Sequence, residues 1–174
     1  MNEIFPIRYA KRDDIPNIAA FLHVCWREEY RQIIVDDYLD TMSVDERNDG
    51  LLERYNKGVT DCLMMQDGNR LIGVAAFGKS FTTGFADDGE ISAIYLHHDY
   101  IGKGYGHQLF VKAEQRLDGK GYTHFVLDLL PGNTRAKRFY LSHGYEKVAD
   151  RSIRLGKNYY QLDVMRKRNP FAIR

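Results

Sequence analysis

The feature that most limits what this chain can fold into is the run Gly102-Lys103-Gly104-Tyr105-Gly106-His107. Glycines at alternate positions suit the interior of neither a helix nor a strand, so the run is read as a turn. Upstream, Glu90 to Leu96 is strand-like, with Glu90, Ser92, Ile94 and Leu96 on one face and Ile91, Ala93 and Tyr95 on the other. Downstream, Leu109, Phe110, Ala113 and Leu117 recur at helical spacing, and the helix stops before Gly119 and Gly121. Strand, turn and helix in that order form crossover material, which points to an α/β fold. In such a turn, consecutive backbone N–H groups can approach a phosphate unobstructed, and the helix N-terminus adds partial positive charge. The run reads as an anion cradle. It fits neither familiar phosphate motif: the dinucleotide fingerprint wants a third glycine where His107 stands, and the P-loop wants Lys-Ser or Lys-Thr after its last glycine.

The remaining segments build a sheet around this unit. Ile4 to Tyr9 is a short strand-like opening, and Ile15, Ile18, Ala19, Leu22, Trp26 and Tyr30 make the apolar stripe of a helix. Pro16 is tolerated there because a first turn has unpaired N–H groups anyway. A second helical stretch runs from about Asp36 to Lys57, interrupted near Ser43, a residue suited to an N-cap. Cys62 to Gln66 and Leu71 to Phe77 form a hairpin across Asp67-Gly68-Asn69. Thr123 to Leu130 is a strand, Asn133 to His143 a helix closed by Gly144, and Tyr145 to Ala149 and Tyr159 to Met165 are strands flanking a polar loop. No repeat or linker divides residues 1–174, so one domain is expected, a mixed sheet with helices on both faces.

Composition excludes several partners. Lys and Arg number 25 against 24 Asp and Glu, a net charge of +1, so no global field draws the chain to nucleic acid or an anionic membrane. The 2 cysteines, Cys25 and Cys62, lie far apart and outside any Cys-x-x-Cys, which disfavours a zinc site or a disulfide framework. His97-His98, His107, His23, His124 and His143 form no metal or triad pattern, and no metal is assigned. Met1 to Arg12 mixes charged with apolar residues, unlike a secretory signal, and the longest uncharged stretches fall short of the roughly 20 residues of a membrane helix. A cytoplasmic location is expected.

A second constellation follows the cradle: Asn133, Ala136, Phe139, Tyr140, Gly144 and Tyr145, in the pattern Asn-x-x-Ala-x-x-Phe-Tyr-x-x-x-Gly-Tyr. With this motif beside the glycine turn, the chain resembles the GNAT superfamily of acyl-CoA-dependent N-acetyltransferases over nearly its whole length. Trp26 to Tyr30, Asp36 to Leu39 and Leu71-Ile72-Gly73 also look like recurring elements of that family. Two positions depart from it. Ile101 stands where Arg or Gln is usual, which removes a side chain but no backbone donor, and Tyr145 stands where Phe is usual.

The resemblance implies a single-domain GNAT fold, a mixed, mostly antiparallel twisted sheet flanked by helices, with acetyl-CoA as acyl donor and cosubstrate. It implies that the strand edge at Ile94, Tyr95 and Leu96 holds the pantetheine arm, while Gly102, Lys103, Gly104, Tyr105, Gly106 and His107 hold the pyrophosphate. Asn133 would hydrogen-bond the pantetheine side. The family reaction is direct attack of an amine on the thioester carbonyl. Tyr140 matches the family tyrosine that protonates the departing thiolate, and an N–H near Leu96 would polarise the carbonyl. Glu90 is the first choice for the base that takes the amine proton, with Glu29, Asp87 and Asp88 in reserve.

The acceptor, a small-molecule or protein amine, is shaped in this family by the loops at Arg31 to Asp37 and Asp150 to Asn158. Asp36 and Asp37 in the first would welcome a cation, while Arg151, Arg154 and Lys157 in the second would repel one, so its identity stays open. A different acyl-CoA, or a CoA-holding module without turnover, are the alternative readings. A homodimer is compatible with the resemblance.

Overall fold

The computed structural model describes residues 3–34 and 37–172, so Asp36 lies outside the described residues. After the short strand β1 (Ile7–Tyr9), helix α1 (Ile15–Tyr30) starts with proline in its first turn and buries Ile15, Ile18, Ala19 and Leu22 of the stripe read from the sequence, together with Cys25, while Trp26 and Tyr30 are only partly buried. The second helical stretch divides into α2 (Tyr38–Thr41) and α3 (Val44–Asn56). The division falls at Ser43, whose hydroxyl accepts the Glu46 N–H at 3.2 Å and caps α3.

Strands β2 (Thr60–Asp67), β3 (Arg70–Lys79) and β4 (Gly89–Leu96) follow as an antiparallel meander. Helix α4 (Tyr105–Gly119) crosses over to β5 (His124–Leu129), then α5 (Thr134–Ser142), β6 (Glu146–Leu155) and β7 (Asn158–Arg168) complete the chain. Among the described residues, the strands join one 7-stranded sheet in the order β1-β2-β3-β4-β5-β7-β6, in which only the β4–β5 pair is parallel. Helices α1 and α3 cover one face, where Ile15, Ile18, Leu22 and Leu51 meet Cys62, Met64 and Val74. Helix α4 covers the other, packing Leu109, Phe110, Ala113 and Leu117 on Leu63, Ile72, Phe77, Phe125 and Leu127. No helix among the described residues is long and apolar enough to cross a membrane.

Two expectations are corrected. The polar loop expected between the last strands is itself strand: β6 continues to Leu155 and β7 begins at Asn158, leaving a tight turn with Gly156 at φ +62°. Strand β6 is the outermost of the sheet and mostly exposed, so Asp150, Arg151 and Arg154 are tolerated in it. The simple alternation of β4 also fails. Ala93 pairs with Ala76 but Ile91 with Phe77, so β4 carries one extra residue at Ser92, a β-bulge. Past it the faces exchange. Ile91, Ile94 and Leu96 share the α4 face, whereas Ala93 and Tyr95 pack on the α1/α3 face, the side to which Glu90 belongs.

A buried ion pair ties the second half together. Glu114 of α4 and Lys167 of β7 meet at 2.7 Å with side chains only 3% and 10% exposed. Tyr145 donates its hydroxyl to the same Glu114 oxygen at 3.0 Å, and Lys167 donates to the carbonyl of His143, at the end of α5, at 2.9 Å. The pair thereby fixes α5 relative to α4. Lys167→Met strands the carboxylate and is expected to cost about 3–5 kcal/mol in urea unfolding. Adding Glu114→Gln to it should recover a large part of the loss, whereas additive losses would show that the two groups do not act as a pair.

Candidate functional site

Strands β4 and β5 are joined only at Gly89–Phe125 and Glu90–Val126, and beyond the bulge they part. The N–H of His97 donates to Ile72 of β3 at 2.8 Å, and backbone groups alternate along a strand, so those of Ile94 and Leu96 face the gap rather than β3. They have no strand to pair with. The gap opens into a cavity of about 740 Å³. Ile94, Leu96, Ala136, Phe139 and Tyr140 line it from the α4 face of the sheet, Tyr30, Tyr95 and Asp128 from the opposite face, so the cavity passes through the sheet.

At one end stands the glycine turn. Gly102 and Gly104 have φ of +79° and +86°, a left-handed backbone that other residues resist, and Gly104 is the N-cap of α4. Both are exposed and line the cavity, as do Gly106 and His107. The turn therefore points backbone N–H groups and a helix N-terminus into open space, and a side chain there would obstruct it. Lys103 is exposed, its ammonium 5.9 Å from the centre of the Tyr100 ring, and Tyr105 is buried against Phe5.

Along the middle runs α5. The Asn133 carboxamide oxygen caps it, accepting the Ala136 N–H at 3.0 Å, and the Asn133 side chain also hydrogen-bonds Tyr30. Tyr140 packs among Phe110, Phe139 and Tyr145, and its hydroxyl has no hydrogen-bond partner among the described residues. Burial raises the phenol above its ordinary pKa, and the proximity of Tyr30 and Glu29 adds to the rise. Tyr30 and Tyr95 share a hydrogen bond of 3.0 Å, and burial raises both of these phenols too. Three protonated hydroxyls thus surround the gap.

Glu90 is not brought to this cavity. Its Oε2 accepts the Ser80 hydroxyl at 3.0 Å, the Phe81 N–H at 2.9 Å and the Thr82 hydroxyl at 3.5 Å, which fastens the β3–β4 loop. The bulge at Ser92 is the reason it does not share a face with Ile94 and Leu96. Of the carboxylates held in reserve, Glu29 lines the cavity and pairs with Arg135, whereas Asp88 is buried in a salt bridge with Arg166 at 2.6 Å. Asp87 does not line the cavity.

The cavity also presents residues that the sequence reading passed over. Asp128 is one, with Oδ2 held by Arg151 Nε at 2.8 Å and Oδ1 buried without a hydrogen bond. Its sign in the sequence is a lone charge in the apolar run Phe125 to Leu130. Cys25 is another. Its thiol approaches the Leu96 carbonyl at 3.9 Å, and burial, with Glu28 and Glu29 nearby, pushes its pKa up to about 12. Elsewhere His97, His98 and Asp99 gather potential ligand atoms within 4.8 Å, but Arg70 already lies 2.8 Å from His97 Nε2.

Comparison with known proteins bears on the family and the fold. Residues 16–145 match the model of the acetyltransferase (GNAT) family. The uncharacterized N-acetyltransferase YuaI of Bacillus subtilis (strain 168) is 31% identical over 144 residues, 83% of this chain and 82% of that protein. The PaiA N-acetyltransferase of Thermoplasma acidophilum, solved in complex with coenzyme A, is similar in fold, with a TM-score of 0.76 at 20% identity over 95% of this chain and 99% of that one. YncA of Salmonella typhimurium, solved with its cofactor acetyl-CoA, has a TM-score of 0.71 at 22% identity over 95% and 94% of the two chains.

The geometry of Glu90 makes a direct prediction. Glu90→Gln weakens bonds accepted by a buried charge and is expected to lower stability by about 1–3 kcal/mol in urea unfolding. An unchanged midpoint would mean that the carboxylate does not fasten the loop.

Proposed function

This chain belongs to the acetyltransferase (GNAT) family of N-acetyltransferases, and we propose that it transfers an acetyl group from acetyl-CoA to a primary amine by direct attack. The observation that carries the reading is the gap between β4 and β5, open to both faces of the sheet. Donor and acceptor enter it from opposite sides. The glycine turn suits a pyrophosphate, since its exposed N–H groups and the start of α4 offer only donors and positive potential. The backbone groups of Ile94 and Leu96 that face the gap suit the amides of a pantetheine arm, as an added strand would, with Asn133 across from them. The relatives solved with coenzyme A and acetyl-CoA support this donor.

The reaction needs a polarised carbonyl, an acceptor for the amine proton and a proton for the thiolate. A backbone N–H of β4 facing the gap supplies the first without reorganisation. As nitrogen attacks the carbonyl carbon, the C–S bond breaks and the sulfur takes its electron pair. Tyr140, kept protonated by burial, donates to that sulfur. We place the proton acceptor at Asp128 rather than Glu90, because Asp128 lines the cavity on the face opposite Tyr140 and Glu90 does not line it. The amine attacks in its neutral form, so a base matters most at pH values where the free amine is protonated.

Release of thiol from acetyl-CoA with a panel of amines tests the reading as a whole. No release with any amine, from a protein that binds acetyl-CoA, would favour the module without turnover. Tyr140→Phe keeps the ring and is expected to slow the chemical step by roughly 10- to 10⁴-fold with donor affinity little changed, and full kcat would remove the assignment. Asp128→Asn should lose most rate near neutral pH and less at high pH, while Glu90→Gln keeps the wild-type pH profile. The reverse pattern would return the base to Glu90.

A further inference from the structure

We propose that the His107 side chain is a titratable ligand of the donor's pyrophosphate, oriented by His143, so that the donor binds with uptake of a proton. The inference rests on the donor reading above and goes beyond the backbone cradle.

The argument begins at the end of α5. His143 Nδ1 lies 2.7 Å from the Phe139 carbonyl oxygen, which can only accept, so Nδ1 carries the hydrogen. Neutral His143 then presents a bare Nε2, and His107 Nδ1 stands 2.9 Å from it. His107 must donate. Its own Nε2 is therefore the bare nitrogen of the pair, on an exposed ring that lines the cavity beside the glycine turn.

Of the pair, His107 is the ring that offers a bare nitrogen to the cavity. His143 is half-buried against the Phe110 and Phe139 rings, at 4.9 and 4.2 Å between centroids, and burial lowers its pKa. An imidazolium at His107 still donates through Nδ1, so the His107–His143 bond survives the change. The charges facing His143 are Glu114 from α4 and Lys167 from β7, and they pair with each other at 2.7 Å. The turn contributes Lys103, and the start of α4 contributes a positive potential, because His107 is the third residue of that helix.

A bound pyrophosphate favours the protonated ring, since an N⁺–H donor to a phosphate oxygen is stronger than a neutral one. Binding then takes up a proton, and linkage requires affinity to rise as pH falls.

Calorimetry with 3′-dephospho-CoA tests this, because that probe lacks the phosphomonoester that itself titrates near pH 6. Between roughly pH 8 and pH 6 the wild-type Kd is expected to fall about fivefold to tenfold, with buffer-dependent heats that report proton uptake. His107→Gln should flatten the profile. His143→Phe, which removes the orienting acceptor, should reduce the slope with His107 still present. Thermal unfolding of each variant confirms its fold. A flat wild-type profile, or an undiminished slope in His107→Gln, overturns the proposal and leaves the donor reading intact. Failure of wild type to bind the probe at any pH overturns both.

Discussion

The parting of β4 from β5 is the constraint on which the rest depends. Two parallel pairs hold the strands together at Gly89 and Glu90, and one extra residue at Ser92 then turns β4 away. A sheet interior normally leaves no backbone group unpaired, because a buried orphan costs the free energy of a lost hydrogen bond. Here the orphans line a cavity instead. The glycine turn, the N-cap of α5 and the tyrosines of both faces are all placed around that break, and none would be juxtaposed in a continuous sheet.

Holding such a break open needs rigidity elsewhere. Helix α5 buries none of its own residues fully, and it is short, so its position is set by what grips its ends. Asn133 fixes the first, and the Glu114–Lys167 pair, reaching the His143 carbonyl, fixes the last. Tyr140 lies between these anchors. The dry surroundings that keep its phenol protonated are thus maintained by an ion pair on the neighbouring helix and strand.

Much of this was legible in the sequence, and the exceptions share a cause. The glycine turn, the capped helix from Asn133, the Ser43 cap and the amphipathic α1 are local patterns, decided by residues a few positions apart. They were found. Glu90 was assigned to the wrong face because a β-bulge leaves no mark in composition: Ser92 is an ordinary strand residue, and only the pairing with Ala76 and Phe77 reveals it. The length of β6 was missed because charged residues in an edge strand look like a loop. Asp128 acquires meaning only through Arg151, 23 positions later in the chain.

Cys25 gives the site a further property. The reaction proposed for this chain releases a free thiol into a cavity whose wall already contains one. Thiol–disulfide exchange proceeds through the thiolate, and a thiol with a pKa near 12 is almost never ionised at neutral pH. A thiol so held is a poor partner for exchange with the released thiol, or with its disulfide, beside the Leu96 carbonyl. The site's own sulfur is chemically quiet for the same reason that its phenols keep their protons.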